Sequence, residues 1–137
     1  MNNSGILEEL NESCRNTLVS NLGIVFTEIS EDKIVATMPV DNRTIQPMKI
    51  LHGGAIMALA ETLGGAGSYA LIDRSKFYAV GLEINANHVS SATSDMVTGT
   101  GRLLHKGKRT HVWEILVKDK DGTLLSAGRI TNMILEK

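Results

Sequence analysis

The sequence predicts an α+β fold in which an antiparallel β-sheet wraps around one long helix. The first observation is the stretch 51–72, whose apolar residues recur at helical spacing. The second is a series of β-rich segments, two before this stretch and four after it. The third is the length, because 137 residues can bury a core of their own, so residues 1–137 are expected to form one domain. A sheet of this kind buries its apolar face by packing it against the long helix.

The first predicted element is a short covering helix over residues 6–19, where apolar side chains recur at roughly helical spacing. Two β-branched runs follow, and the three polar residues between them are typical of a hairpin. A loop over residues 41–50 then leads into the long helix. The last four strands are joined by turn residues, so a meander of four strands is expected. The predicted strands cover residues 22–29, 33–40, 78–89, 96–105, 110–118 and 124–135.

Composition and charge argue against several classes of function. The formal charge of −1 gives no electrostatic reason to expect binding of nucleic acid. The single cysteine, Cys14, cannot form an internal disulfide, and the first residues lack a basic region followed by an apolar core. A cytoplasmic protein is therefore expected. The sequence contains neither a nucleotide-binding glycine motif nor a cysteine pair, and its histidines are scattered, so no cofactor and no metal are predicted.

Glu61 is the only formally charged residue between positions 51 and 72. A helical projection surrounds it with small or uncharged residues and places a row of apolar residues on the opposite face. A solvated face would normally carry several charges, so the Glu61 face is expected to lie against a ligand, a backbone or a second chain. The residues assigned to the Glu61 face are Gly54, Met57, Ala58, Gly64, Gly65 and Ser68, and those assigned to the opposite face are Ile56, Leu59, Leu63, Ala66 and Ala70.

Two structural alternatives apply to the same stretch. A transmembrane helix would bury Glu61 at a cost of about 2.5 to 3.5 kcal/mol, and glycines dilute its apolar content. A buried helix with an ion-paired structural glutamate stays open as an alternative. Against it, each glycine inside a helix costs about 1 kcal/mol relative to alanine. The glycines therefore indicate that something approaches the helix backbone closely.

Gly53 and Gly54 stand where the long helix is expected to begin, so their backbone N–H groups form a natural oxyanion site. Acyl-transfer chemistry needs such donors and a nearby base or nucleophile, for which Glu61 is the only candidate on this helix. Gly53 and Glu61 are eight residues apart, which is about 12 Å along a helix and too far for both to contact one carbonyl group. If both serve one reaction, they must come from different chains, which predicts a homodimer with two shared sites.

The segments Leu51-His52-Gly53-Gly54 and Leu59-Ala60-Glu61 resemble the helix motif of the hotdog-fold acyl-CoA thioesterases of the phenylacetic-acid-degradation type. In this fold an antiparallel sheet wraps around a long helix, and the resemblance covers essentially the whole chain. The segments 80–89 and 111–115 look like the branch that contains 1,4-dihydroxy-2-naphthoyl-CoA thioesterase of menaquinone synthesis and the enterobactin-pathway proofreading thioesterase.

The resemblance implies hydrolysis of an acyl-CoA thioester, with aromatic acyl groups preferred. Glu61 would act as the nucleophile or as a general base toward water. Gly53 would polarise the thioester carbonyl through its backbone N–H with help from Gln46, while His52 would shape the donor end of the site. His88 would border the acyl pocket.

The resemblance also assigns substrate contacts to Gly54, Gly65, Ser68, Lys108 and Arg109. Some members carry Ser or Thr at the position of Gly65, one helical turn after the carboxylate, so the pocket is expected to be roomier here. The basic turn 106–109 holds three cations in four residues, which suits contact with the nucleotide phosphates of CoA. A turn kept soluble by its charge is the alternative.

Two further function classes are open beside the thioesterase. Hotdog dehydratases resemble a different pattern, which has a longer interval between histidine and carboxylate and a Pro-Gly near the helix start. This pattern is absent here. Non-catalytic acyl-CoA sensors resemble this domain fused to a DNA-binding region, and about twenty residues before the first strand are too few for a helix-turn-helix domain. The sequence leaves open CoA or acyl carrier protein as the acyl donor, and a dimer or a tetramer as the assembly.

Overall fold

The computed structural model describes residues 3–137, in which three helices accompany a six-stranded sheet. The predicted α+β architecture, one long helix against an antiparallel sheet, is confirmed. The helices are α1 (Asn3–Ser13), α2 (Leu18–Asn21) and α3 (Gly53–Leu71). The strands are β1 (Val25–Ile29), β2 (Lys33–Pro39), β3 (Phe77–His88), β4 (Met96–Lys106), β5 (Thr110–Lys118) and β6 (Leu124–Glu136).

The strand order is β1-β2-β4-β5-β6-β3, and all neighbouring strands are antiparallel. The predicted meander of four strands is wrong in one respect. Strands β4, β5 and β6 are consecutive neighbours, but β3 pairs with β6 and lies at an edge of the sheet. The segment between β3 and β4 is too long for a tight hairpin, so it can carry the chain past β6 and β5 to the position of β4.

The helix predicted over residues 6–19 is in fact two helices. Asn16 has a φ of 59°, and an α-helix cannot continue through this left-handed conformation. Asparagine adopts it more readily than most residues. The chain therefore ends α1 before this residue and starts α2 afterwards, and α2 packs against α3.

The face of α3 predicted to contact the sheet does so. Ile56, Leu59 and Leu63 are buried, and Ala66 and Ala70 are half-buried against the same core. Full burial of a leucine side chain contributes about 1.5 to 3 kcal/mol, so this face anchors the helix. Neither α3 nor any other helix within residues 3–137 is long and apolar enough to cross a membrane.

Two glycines of α3 allow side chains of the sheet to reach the helix backbone. A Cβ atom at Gly64 would overlap Ile130, and one at Gly67 would lie 2.6 Å from Cζ2 of Trp113. The close approach indicated by these glycines is therefore made by the protein's own core. The assignment of Gly64 to the Glu61 face is wrong, because Gly64 is buried against Ile130 of β6.

Candidate active site

The first two backbone N–H groups of α3 differ in whether they have a hydrogen-bond acceptor. His52 is the N-cap residue, and its Nδ1 accepts a hydrogen bond of 2.7 Å from the N–H of Gly54. Within residues 3–137, by contrast, the N–H of Gly53 meets no acceptor. The expected pair of free donors is thus reduced to one, because the cap occupies Gly54. Donation by the Gly54 N–H to a substrate would require this cap to open.

Gln46 holds the loop that precedes α3. Its backbone N–H donates to the carbonyl of Ile50 at 2.9 Å, and its Oε1 accepts from the N–H of Met48 at 2.8 Å. A bridge between Ile45 and Leu51 ties this loop to the start of the helix. Since Oε1 is engaged, the side-chain groups that Gln46 can offer to a ligand are its Nε2 hydrogens, which are donors.

His88, the last residue of β3, reaches the same end of α3. Its Nε2 would lie 3.0 Å from a Cβ atom at Gly53, so the imidazole occupies the space that a side chain there would need. Its Nδ1 is 2.9 Å from Oγ of Ser126 on β6. Sequence reasoning missed Ser126, because this cross-strand pair exists only if β3 lies next to β6.

Glu61 lies in the middle of α3 and is exposed. No hydrogen-bond donor and no cation pairs with its carboxylate anywhere in the described part of the chain, residues 3–137. The alternative of a buried, ion-paired structural glutamate is therefore wrong for these residues. Oε1 lies against the backbone of Gly81 in β3, and within residues 3–137 no atom beyond the adjacent residues and the local helix backbone lies within 4 Å of the Cβ position of Gly65. The surface beside the carboxylate is open.

Ser68 does not share this open surface. It is 0% exposed, and its Oγ accepts hydrogen bonds of 3.0 Å from Nε1 of Trp113 and Nδ2 of Asn132. Its assignment to the Glu61 face is wrong, because β5 and β6 cover this end of the helix. A substrate contact by Ser68 would require these buried hydrogen bonds to break.

The basic turn between β4 and β5 borders a groove of about 780 Å³ at the C-terminal end of α3. The lining of this groove combines cationic side chains, an apolar surface and two carboxylates. The apolar lining residues are Leu71, Ile72, Phe77, Ile134 and Leu135, and the polar ones are Asp73, Lys106, Lys108, Arg109, His111 and Glu136.

His111 is a polar group of this groove that sequence reasoning did not single out. It is 2% exposed, and its Nδ1 has no hydrogen-bond partner within residues 3–137. Burial lowers the pKa of His111, and the charges of Lys106 and His105 lower it further, so the imidazole is neutral near pH 7. Its burial could have been predicted, because every second residue of β5 faces the core, and His111 and Trp113 are both among these residues.

The predicted site residues form three groups along α3 in one chain. Gln46, His52, Gly53 and His88 are near its N-terminal end, Glu61 is in its middle, and the groove is at its C-terminal end. The distance from Gly53 to Glu61 is about 12 Å along the helix, and a further ten residues to Leu71 add about 15 Å. One chain therefore does not bring Gly53 and Glu61 to the same carbonyl group. No group of three or more His, Cys, Asp or Glu side chains in the described residues could hold a metal ion.

The sequence pattern of the thioesterase superfamily matches residues 48–126, a span that includes all of α3 and three strands of the sheet. The chain belongs to the thioesterase superfamily. It is an enzyme with thioesterase activity, and its helix and sheet form the hotdog fold that the resemblance implied.

Relatives with stated activities match almost the whole thioesterase. The 1,4-dihydroxy-2-naphthoyl-CoA hydrolase of Escherichia coli (strain K12) is 46% identical over 94% of this chain and 94% of its own length. The proofreading thioesterase EntH of Cronobacter sakazakii is 43% identical over 94% and 93%. The crystal structure of a glutamine-to-alanine variant of thioesterase PA1618 from Pseudomonas aeruginosa superposes with a TM-score of 0.93 at 43% identity, covering 96% of this chain and 94% of that one. The resemblance to this branch is confirmed, and these names favour thioester hydrolysis over the dehydratase and sensor alternatives.

Proposed function

We propose that this thioesterase hydrolyses an aromatic acyl-CoA in sites shared by two chains, with Glu61 from one chain and Gly53 from the other. One observation carries the proposal. The exposed carboxylate of Glu61 and the N–H of Gly53 both lack a partner within residues 3–137, and they are the two kinds of group that thioester hydrolysis needs. Their separation of about 12 Å on one helix requires a second chain to unite them.

The edge strand β3 supports such a dimer. Its outward side chains Tyr78, Val80 and Leu82 are 43%, 41% and 58% exposed. An unpaired edge with apolar side chains is prone to pair with another chain. Antiparallel pairing of two β3 strands would set the two α3 helices in opposite directions, so that Glu61 of each chain approaches the Gly53 end of the other.

The chemistry follows from these groups. The Gly53 N–H and the Nε2 donors of Gln46 would bind the thioester oxygen, where negative charge develops during attack. The positive end of the α3 dipole adds to this stabilisation. Glu61 would either attack the carbonyl carbon directly, with water then hydrolysing the mixed anhydride that forms, or take a proton from a water molecule that attacks the carbonyl carbon. The CoA thiolate would leave in both cases.

A cavity of about 310 Å³ beside the start of α3 is the candidate acyl pocket. This volume lies at the lower end of the range of about 300 to 1,000 Å³ for ligand pockets, so it favours a compact acyl group over a long chain. The name of the Escherichia coli relative, 1,4-dihydroxy-2-naphthoyl-CoA hydrolase, supports an aromatic acyl group. We extend the proposal to a cytoplasmic role in menaquinone biosynthesis. The cavity is lined by Leu18, Leu22, Arg43, Thr44, Ile45, His52, Gly54, Ala55 and Ala58.

We expect aryl acyl-CoAs to be preferred over long-chain acyl-CoAs. The kcat/KM for benzoyl- or naphthoyl-CoA should exceed that for palmitoyl-CoA by at least about tenfold, since the long chain cannot be enclosed. Release of free CoA thiol, with every substrate kept below its micelle concentration, measures the ratio. An equal or higher value for palmitoyl-CoA would reject the compact pocket, and absence of thiol release from every acyl-CoA would reject the proposed function.

The basic turn is expected to bind the nucleotide end of CoA, far from the reacting carbonyl. Such contacts hold the ground state and the transition state about equally, so their loss raises KM and leaves kcat nearly unchanged. Lys108→Ala combined with Arg109→Ala should raise KM for an acyl-CoA about tenfold. A pantetheine thioester, which lacks the nucleotide, should be hydrolysed equally by both proteins, and added salt should narrow the difference on acyl-CoA.

The matched control removes two exposed cations elsewhere, Arg15→Ala with Lys118→Ala, and should leave KM unchanged. An unaltered KM in the Lys108 and Arg109 variant would show that the turn is only solvated. The nucleotide would then have to bind elsewhere, for instance near Arg102.

A further inference from the structure

His88 and Ser126 form a hydrogen-bonded pair beside the proposed carbonyl site. The Nε2 edge of the His88 ring faces Gly53, with Nε2 only 3.0 Å from the position of a Cβ atom there. At the other side of the ring, Nδ1 lies 2.9 Å from Oγ of Ser126. The two residues are opposite each other in the β3–β6 ladder, so the backbone fixes their spacing. The ring is therefore tied to Ser126 at its Nδ1 edge and lies close to Gly53 at its Nε2 edge.

The burial of Ser126 decides which atom of the pair carries the hydrogen. Ser126 is 1% exposed, and within residues 3–137 its Oγ has only Nδ1 of His88 as a hydrogen-bond partner. If Nδ1–H donated to Oγ, the buried hydroxyl hydrogen would have no acceptor. A buried donor without a partner is less tolerable than an unused lone pair on an oxygen. The hydroxyl of Ser126 is therefore assigned as the donor to Nδ1, which leaves the ring hydrogen on Nε2.

We propose that Ser126 is a positioning residue for thioester hydrolysis, because it fixes His88 in the tautomer that presents Nε2–H beside the Gly53 N–H. This inference rests on the proposed function, since it uses the Gly53 end of α3 as the carbonyl site. The thioester oxygen then receives donors from an imidazole and a backbone amide of the same chain. Its negative charge grows toward the transition state, so the imidazole donor raises kcat more than it lowers KM.

The first test is kinetic. Ser126→Ala should lower kcat about tenfold and leave KM nearly unchanged, whereas the exposed Ser94→Ala should change neither. In a His88→Ala background, Ser126→Ala should cause no further loss, because its effect passes through the imidazole. Wild-type kcat in Ser126→Ala, or the same fold loss in both backgrounds, would overturn the proposal.

The second test needs no substrate. Long-range ¹H–¹⁵N correlation spectra of the full chain report the tautomer of each histidine, and the spectrum of His88→Gln identifies the His88 signals. We expect the Nε2–H tautomer in the wild type and a mixture of tautomers in Ser126→Ala. An Nδ1–H tautomer in the wild type would overturn the inference even if Ser126→Ala failed to fold. Because this result is independent of turnover, it separates failure of the inference from failure of the proposed function.

Discussion

Replacement of Glu61 by glutamine is expected to lower kcat at least about a hundredfold, the low end of general-base contributions. An amide can neither accept the proton of water nor attack a thioester as a carboxylate does. Glutamine has almost the same shape, and the exposed carboxylate forms no ion pair within residues 3–137 that folding would lose. Thermal stability should therefore stay close to that of the wild type.

Thiol release from an aryl acyl-CoA measures this loss, and thermal unfolding measures the stability. Glu31→Gln is the matched control, because Glu31 is an exposed carboxylate in the turn between β1 and β2, far along the chain from α3. It should turn over like the wild type. Near-normal turnover in Glu61→Gln would remove Glu61 from the mechanism and leave its isolation on α3 without a catalytic explanation.

Mixing two inactive variants, Glu61→Gln and Gln46→Ala, should restore activity. In a heterodimer, one site combines the intact Gln46 of one chain with the intact Glu61 of the other, and the second site carries both substitutions. Random reassortment of equal amounts should give about a quarter of the wild-type activity, because half of the dimers are mixed and each has one good site. Refolding the chains together from denaturant achieves the reassortment.

Native mass spectrometry of the two chains, one of them carrying a mass tag, shows whether heterodimers form. Each variant refolded alone provides the baseline activity. If heterodimers are present and the mixture stays at that baseline, Gln46 and Glu61 do not come from different chains, and the shared site is wrong in that form.

Periodicity was sufficient for the type of nearly every element. The buried residues Ile56, Leu59 and Leu63 follow a helical stripe, and the strands follow their alternation, so both were predicted. The order of the strands could not be predicted from periodicity, because the position of β3 depends on pairing between residues that are far apart in the chain, such as His88 and Ser126. The break at Asn16 is a local backbone conformation that an apolar pattern does not record.

The candidate site was predictable only as far as residue type and spacing reach. Glu61 stood out because its charge is isolated, and Gly53 because it opens a helix. The capping of Gly54 by His52 and the burial of Ser68 depend on the directions of side chains. A helical projection contains only the angular position of each residue and not these directions. The projection also assumes one flat partner surface, whereas α3 contacts five strands of the sheet.

If Glu61 acts as proposed, its contact with Gly81 links the stability of β3 to activity. A glycine inside a strand weakens that strand, so selection for stability alone would favour a β-branched residue at position 81. Any such residue would overlap the Glu61 carboxylate and displace it. Under the proposed mechanism, selection for thermal stability alone would therefore favour a more stable β3 at the cost of activity, while selection for turnover would keep Gly81.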